Sequence, residues 1–217
     1  MSKPGSRGRR GIGPEALQPV RLRRSVRRDI LLDGAVSLIE AGDVQDVSMD
    51  SVAEQAGVSR PLLYKHFANR DELLVAVYRR EVALLHEELA AEVTAAGTIE
   101  EMYRTLIRGS LRVAAEKGHV FAALRSAGVW NREVRAEHES RDRATMRAFS
   151  ARAARDYGLR RQGATAITSV LLGAIDSVLA QWHLRPTVEN ALMLEDIYMG
   201  MVAGAYASIR PLVPQPR

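Results

Sequence analysis

Proline is absent between Pro61 and Pro186 in this chain of 217 residues. Apolar residues recur through that stretch at spacings of three and four, which is the period of an amphipathic helix, whereas strands alternate with a period of two. Because proline interrupts both helices and central strands, its absence removes the commonest interruption of a long helix. We therefore predict an all-α fold of about nine helices.

Capping residues and glycines divide the chain into these helices. Ser48, Ser59 and Asn69 are predicted N-caps, Pro61 is tolerated in a first turn, and Gly118 is predicted to separate two helices. The predicted helices cover residues 21–41, 49–56, 60–66, 70–93, 99–117, 120–127, 132–157, 161–184 and 189–209.

Basic residues are concentrated at the N-terminus. The first 28 residues hold nine Lys or Arg against one acid, Glu15, while the whole chain has a net charge of +5, so the remainder has a net charge of −3. Three prolines and four glycines within residues 1–20 predict a flexible arm. Clustered arginine attracts polyanions, which favours a nucleic-acid partner, although a solvated tail that only aids solubility has the same composition.

The sequence lacks the residues and motifs on which several classes of protein function depend. The chain has no cysteine, which excludes disulfides, thiol nucleophiles and cysteine-ligated zinc or iron–sulfur sites. The five histidines are scattered, and no phosphate-binding glycine loop, HExxH or GxSxG motif occurs, so we expect no enzyme, cofactor or metal. Without a signal segment or a run of about 18 apolar residues, we expect no membrane partner and a cytoplasmic location.

Residues 48–69 have the pattern of a helix-turn-helix. Two short helices joined by a tight turn cross at a steep angle, which requires a small residue on the first helix, here Ala53. Gly57, four positions later, tolerates the left-handed conformation that such a turn needs. The seam between the helices requires apolar residues, and they stand at Val52, Ala56, Val58 and Leu63.

The segment from about residue 28 to residue 78 resembles the N-terminal domain of the tetracycline-repressor (TetR/AcrR) family of bacterial regulators. The matching residues are Ala35, Gly42, Ser48, Val52, Ala53, Ala56, Gly57, Val58, Ser59, Leu63, Tyr64, His66, Phe67 and the run from Asn69 to Leu74. Family members often carry Thr or Ser where this chain has Leu62, so the sequence departs from the pattern there. The resemblance covers roughly a quarter of the chain, and the rest matches only in helix count and order.

The resemblance implies a DNA-binding transcriptional regulator, most simply a ligand-responsive repressor that binds a palindromic operator as a homodimer. Its domains would be a flexible basic arm at 1–20, a helix-turn-helix domain at 21–80, a ligand-binding and dimerisation domain at 81–210 and a tail at 211–217. The alternative is a helical small-molecule or lipid-binding protein without specific DNA binding, which would leave the basic residues unexplained.

Residue roles follow from the resemblance and from DNA chemistry. Arg60 would read guanine O6 and N7, and Pro61 or Leu62 would touch a thymine methyl. Tyr64 and His66 are candidates for phosphate contacts, although packing and helix capping are the alternatives. The candidate DNA-binding residues are Arg24, Arg27, Ser48, Ser59, Arg60, Pro61, Leu62, Tyr64, Lys65, His66 and Arg70.

In the family the region after the helix-turn-helix carries a dimer interface and a ligand pocket. The last two predicted helices are rich in small and apolar residues, and the candidate interface residues are Ala174, Val178, Trp182, Ile197, Met201, Gly204 and Ala205. A hydrophobic or amphipathic effector is expected, with candidate ligand-binding residues Met102, Tyr103, Leu106, Phe121, Leu124, Trp130, Met146, Phe149, Leu172 and Asp176. Both sets also fit ordinary core packing within one chain, and that alternative stays open.

Overall fold

Residues 24–209 are described by the computed structural model, and within that range the chain forms eight α-helices and one turn of 3-10 helix. The helices are α1 Arg24–Ala41, α2 Met49–Gln55, α3 Arg60–Tyr64, α4 Arg70–Ala95, α5 Ile99–Ser126, α6 Arg132–Tyr157, α7 Arg161–Leu184 and α8 Val188–Ile209, with the 3-10 turn at Val44–Asp46. No strand occurs in this range, so the all-α prediction is confirmed. The predicted arm at 1–20 and the tail at 211–217 lie outside the described residues.

Capping explains where the short helices begin. The Ser48 hydroxyl accepts a hydrogen bond from the backbone N–H of Ser51 at 3.0 Å, and the Ser51 hydroxyl accepts one from the Ser48 N–H at 2.9 Å. The Asn69 side chain caps α4 by accepting from the Glu72 N–H at 2.9 Å. Ser59 occupies the N-cap position of α3 as predicted, but its side chain makes no capping hydrogen bond. Pro61 in the first turn of α3, with φ already fixed, helps the helix to begin there instead.

Helix α5 is longer than the sequence predicted. Residues 99–117 and 120–127 were expected to form two helices separated at Gly118, but α5 runs unbroken through both. One glycine in a helix interior costs about 1 kcal/mol, whereas burying a large apolar side chain contributes about 1.5–3 kcal/mol. Val120, Phe121 and Leu124 are all buried on the continued helix, and this burial outweighs the glycine penalty.

Two hydrophobic cores organise the described part of the chain. The N-terminal core is built from α1 to α4 together with Val120, Phe121 and Leu124 of α5 and Val129 and Val134 beside and within α6. The C-terminal core joins the end of α4 to α5, α6, α7 and α8. The first core therefore crosses the predicted domain boundary at residue 80.

Ion pairs follow the same route across that boundary. Arg80 of α4 lies 2.7 Å from the Asp33 carboxylate of α1 and donates to buried Glu81 at 2.9 Å. Lys117 of α5 lies 2.8 Å from Glu40 of α1 and 3.8 Å from Glu81, and the hydrogen bond with Glu40 raises the pKa of Lys117. These contacts fix α1 against both α4 and α5.

Candidate DNA-binding surface and ligand cavity

The turn between α2 and α3 has the geometry that the sequence predicted. Gly57 has a φ of +64°, in the left-handed region that favours glycine. The Val58 N–H donates to the Ala53 carbonyl at 2.9 Å and closes the turn. Leu63 and Phe67 are buried and anchor α3 and the residues after it in the N-terminal core. The predicted boundaries of both helices agree with the structure to within two residues.

One face of α3 is left open to solvent. Arg60, Pro61, Tyr64 and Lys65 are exposed, and Tyr64 retains 53% of its accessible surface. Leu62 is half-buried, so a smaller part of its side chain reaches the same surface. A helix of this size that presents two cations and an exposed aromatic ring has dimensions that the major groove of B-DNA admits.

Arg60 has a partner that sequence reasoning did not identify. Its Nε lies 2.8 Å from Oδ1 of Asp50 on α2, and both side chains are more than half exposed. Asp50 follows the Ser48 cap by two residues, so the carboxylate stands in the first turn of α2. The ion pair links the two helices across the solvent-facing side of the turn.

Arg70 holds the segment that precedes α2. Its Nε donates to the Val47 carbonyl and its Nη2 donates to the Val44 carbonyl, each at 2.6 Å. These carbonyls belong to the first residue of the 3-10 turn and to the residue that follows the turn. Of the guanidinium donors, these two are committed within the chain, and only the remaining N–H groups are available to a phosphate.

The other predicted phosphate contacts have different surroundings. The Ser48 hydroxyl takes part in the cap of α2, Ser59 is exposed, and Arg27 is half-buried. His66 is half-buried with its ring centroid 6.4 Å from that of Phe67. The side chain of Arg24 lies outside the described residues.

Arg28, which was not among the predicted site residues, packs against the helix-turn-helix. Its guanidinium carbon lies 4.7 Å from the centre of the Phe67 ring, a cation–π arrangement. The contact joins the start of α1 to the residues that follow α3. No local sequence signal distinguishes Arg28 from Arg27, because the choice depends on which side of α1 faces Phe67.

Helices α7 and α8 expose an apolar surface. On α8 the residues Leu192, Met193, Ile197 and Met201 retain between 45% and 57% of their accessible surface. Gly200 and Gly204 are exposed on the same helix, and their missing Cβ atoms would have no neighbour within 4 Å. Spacings of three and four place these residues on one side of α8.

The predicted interface residues divide between this surface and the core. Ile197, Met201 and Gly204 are exposed, Ala174 and Ala205 are half-buried, and Val178 and Trp182 are buried within the C-terminal core.

Helix α7 is unusually apolar for a helix with so little burial. It is the one helix among the described residues that is long and apolar enough to cross a membrane, with a mean hydropathy of 1.6 over its most apolar 18 residues. Only 22% of that window is buried within the chain. The sequence criterion of an uninterrupted apolar run missed this property because Asp176 and Gln181 interrupt the run without making the helix polar.

Three adjoining cavities lie between α4, α5, α6 and α7. Their volumes are about 370, 330 and 250 Å³, and His86 of α4 and Leu106 of α5 line all three. Their walls are mostly apolar, and their hydroxyl groups belong to Thr94, Ser110, Thr145 and Ser169. A largely apolar space with a few polar groups is typical of small-molecule sites.

Ionisable groups from all four helices line the cavities, among them His86 of α4 and Arg125 of α5. Burial is the main cause that lowers the pKa of His86, with a smaller contribution from Arg141. Asp142 of α6 and Asp176 of α7 line the largest of the three, and His138 lies 3.8 Å from Asp142. Within residues 24–209 no group of three or more His, Asp or Glu side chains is arranged to hold a metal ion.

Six of the ten predicted ligand-binding residues line these cavities: Leu106, Phe121, Met146, Phe149, Leu172 and Asp176. Met102, Tyr103 and Leu124 are buried and line none of the three. Trp130 is half-buried, with its ring centroid 6.0 Å from that of Tyr78 and 5.3 Å from that of His138.

Sequence reasoning missed His86, Ser110, His138 and Asp142. The two histidines stand beside glutamates in the sequence, a pattern typical of solvated helix faces. A signal was present for His86, since Leu89 and Val93 follow it on the same side of α4 at helical spacing.

Comparison with known proteins places residues 31–77 in a sequence family described as bacterial regulatory proteins, tetR family. The HTH-type transcriptional regulator BetI of Rhizobium meliloti is 36% identical over 87 residues, which is 40% of this chain and 43% of BetI. The HTH-type transcriptional activator FasR of Mycolicibacterium smegmatis is 42% identical over 62 residues, covering 29% of this chain and 28% of FasR. The matched segments thus span less than half the length of either relative.

Solved structures match over most of the chain. A putative transcriptional regulator from Pseudomonas aeruginosa superimposes with a TM-score of 0.70 at 17% identity, covering 89% of this chain and 97% of the other. One from Saccharomonospora viridis in complex with choline has a TM-score of 0.66 at 18% identity, with 83% and 97% covered. FadR of Bacillus subtilis in complex with stearoyl-CoA has a TM-score of 0.59 at 17% identity, with 80% and 96% covered.

Proposed function

This chain is a member of the tetR family of bacterial regulatory proteins, and from that membership we propose that it is a homodimeric, ligand-responsive repressor that binds a palindromic DNA operator. The observation that carries the proposal is the exposed face of α3, where Arg60 and Lys65 stand on a helix that Leu63 anchors in the core. Among the described residues, the ion pair between Arg60 and the exposed Asp50 is the only one that either cation makes, so neither charge is needed to pack the core. If the chain were a helical small-molecule or lipid-binding protein without specific DNA binding, the exposed basic residues of α3 would be unexplained.

Selection from random double-stranded DNA tests DNA recognition. The full-length protein is incubated with a randomised duplex library, and the bound fraction is amplified and sequenced. We expect an inverted repeat whose half-site centres lie about 34 Å apart or a multiple of that distance, because two recognition helices must enter successive major grooves. Recovery of no consensus, with binding that salt abolishes on every sequence, would favour the alternative function.

Arg60→Ala tests the register of recognition on the selected site. Loss of a bidentate guanine contact costs about 1–3 kcal/mol of specific binding and relaxes base preference at one position of each half-site. Fluorescence anisotropy at fixed salt measures the affinity. Arg155→Ala, in the last turn of α6 where the side chain is exposed, is the matched charge control.

The exposed apolar face of α8 supports the homodimer. One short helix contacts too few bases for specific binding, so the helix-turn-helix of a second copy is needed. Two helices from each of two copies can form a four-helix bundle, and Gly200 and Gly204 permit close approach of a partner helix. The same pairing would cover α7, whose apolar surface would otherwise face water.

Ile197→Glu tests the interface. A charge placed in the middle of a packed apolar face is desolvated without a partner, so we expect monomers in sedimentation analysis. Leu84→Glu adds the same charge at an exposed apolar residue of α4 and serves as control. A dimer that withstands Ile197→Glu would exclude this face.

The three cavities between α4 and α7 are the proposed effector site, and a hydrophobic or amphipathic small molecule fits their walls. Similar folds hold choline in one case and stearoyl-CoA in another. Both compounds therefore belong in a thermal-shift panel with other amphipathic molecules. A true effector at 100 times its dissociation constant stabilises the protein by about 2.7 kcal/mol and weakens operator binding. A ligand that raises the melting temperature without changing operator affinity would not be the effector.

The basic arm and the sign of regulation complete the proposal. Arginines before α1 would add phosphate or minor-groove contacts, each steepening the salt dependence by about one unit of log–log slope. An unchanged slope after deletion of residues 1–20 would exclude a DNA contact by that part of the arm.

We propose repression in the cytoplasm, which is relieved when a ligand changes the separation of the two helix-turn-helix domains in the dimer. A promoter–reporter fusion that carries the selected site tests this proposal.

A further inference from the structure

We propose that Asp50 is a positioning residue for DNA recognition, which orients the Arg60 guanidinium for guanine before DNA arrives. The inference rests on the proposed function and deepens it, because it assigns base specificity to a pair of residues on two helices. Asp50 would make no hydrogen bond to a base itself. Its effect would be exerted through Arg60.

The atoms in contact suggest this role. The carboxylate oxygen Oδ1 of Asp50 lies 2.8 Å from Nε of Arg60, so the pair engages the inner nitrogen of the guanidinium. Arginine reads guanine with two parallel N–H groups directed at O6 and N7. With Nε held by Asp50, Nη1 and Nη2 stay free to make that bidentate contact end-on.

Both partners are held by the fold at their backbones. Asp50 stands in the first turn of α2, where the Ser48–Ser51 capping box fixes the helix start. Arg60 is the first residue of α3, two residues after Val58, whose N–H closes the turn. The 2.8 Å contact therefore restrains a long side chain between two anchored points.

Ordering the side chain in advance lowers the entropic cost of binding. An exposed ion pair contributes little to folding stability, so the main effect of this pair is not on the free energy of unfolding. Immobilising a flexible side chain at an interface costs the equivalent of about a two- to tenfold change in affinity. The ion pair also strengthens when DNA displaces the surrounding water, because the screening of the two charges falls.

Asp50 also has an opposite effect on affinity. A carboxylate on the surface that faces DNA repels every phosphate nearby, whatever the sequence. Removing it should raise affinity for nonspecific DNA while lowering the preference for guanine. Discrimination between bases, and not overall affinity, is the quantity that Asp50 controls.

The experiment uses the full-length protein and the site that it selects from random duplexes. Binding is compared between that site and the same site with 7-deazaguanine in place of the guanine that Arg60→Ala identifies, which removes the N7 acceptor alone. Because both affinities are measured on one protein preparation, a partly misfolded variant leaves their ratio unchanged. We expect a ratio of about tenfold or more for the unmodified chain and close to one for Arg60→Ala.

Asp50→Ala should lower that ratio by about three- to tenfold while binding to random DNA rises. Glu54→Ala is the matched control, since it removes the same charge one turn further along α2, where the side chain is exposed. It should raise nonspecific binding and keep the full 7-deazaguanine ratio.

Three results would overturn the inference. An unmodified chain that selects a site but shows no sensitivity to 7-deazaguanine removes the guanine contact and leaves DNA binding standing. A ratio that Asp50→Ala leaves intact, or increases, means that Asp50 is irrelevant to Arg60 or sequesters it. An unmodified chain that selects no site overturns both the inference and the proposed function.

Discussion

Arg70 offers the sharpest test of how the helix-turn-helix is held. Its guanidinium donates to two carbonyls, those of Val44 and Val47, at 2.6 Å each. A hydrogen bond that involves a charged group contributes about 1.5–3 kcal/mol net. Because Arg70 is half-buried, water can replace part of each lost bond. Two such bonds would contribute about 3–6 kcal/mol in full, so with this replacement by water we expect Arg70→Ala to lower the free energy of unfolding by about 2–3 kcal/mol.

A conservative substitution at Arg70 separates geometry from charge. Arg70→Lys keeps the positive charge, but one ammonium cannot reproduce a planar fork that reaches two carbonyls, so about half of the loss should remain. Lys65→Ala is the comparison on the DNA-facing surface, where exposure predicts little change in stability and a weaker complex with DNA.

Urea denaturation at one fixed protein concentration measures the stability, since association makes the midpoint depend on concentration. For a chain of this size the expected loss corresponds to about 5–10 °C in melting temperature. If Arg70→Ala unfolds like the unmodified chain and instead reduces the salt slope of DNA binding by about one unit, Arg70 is a phosphate contact and the structural assignment is wrong.

Three further changes probe the turn, the cavity and the C-terminal core. Gly57→Ala should cost about 1 kcal/mol in urea denaturation, because φ is +64° and open space leaves only backbone strain; an unchanged midpoint would contradict that turn. Burial lowers the pKa of His86, so the unfolded chain binds the proton more readily. Stability should therefore decline as pH falls below the ordinary value of 6.5, and His86→Gln should reduce this decline in melts between pH 7 and 5.5. Tyr198→Phe removes a buried hydrogen bond of 3.0 Å to the Leu171 carbonyl and should cost about 1 kcal/mol by calorimetry; no loss would show that the bond contributes nothing net.

Local signals explain why the helix-turn-helix was predictable. The small residue at Ala53, the glycine at Gly57 and the cap at Ser48 each act within a few residues of their position in the chain. The predicted bounds of α6 and α7, 132–157 and 161–184, likewise agree with the observed helices. A short window of the sequence around each residue is enough to detect such signals.

Contacts between distant segments were not predictable in the same way. Arg70 reaches carbonyls 23 and 26 residues earlier, and no pattern in either segment announces the other. The pairing of Arg60 with Asp50 depends on the crossing angle of two helices and on one rotamer. The prediction of a break at Gly118 was wrong because the helix penalty of the glycine is offset by burial of the following residues against α1 and α4. Those two helices lie far away in sequence, so the residues around Gly118 do not reveal this burial.

The N-terminal core has a practical consequence for anyone who recombines regulators of this kind. Its hydrophobic residues include Val120, Phe121, Leu124, Val129 and Val134, which lie far beyond the helix-turn-helix in sequence. A hybrid protein that joins this helix-turn-helix domain at residue 80 to the C-terminal domain of another regulator would lack part of the N-terminal hydrophobic core. A working chimera should carry residues 120–134 together with residues 24–82, because the two segments pack against each other in the same core.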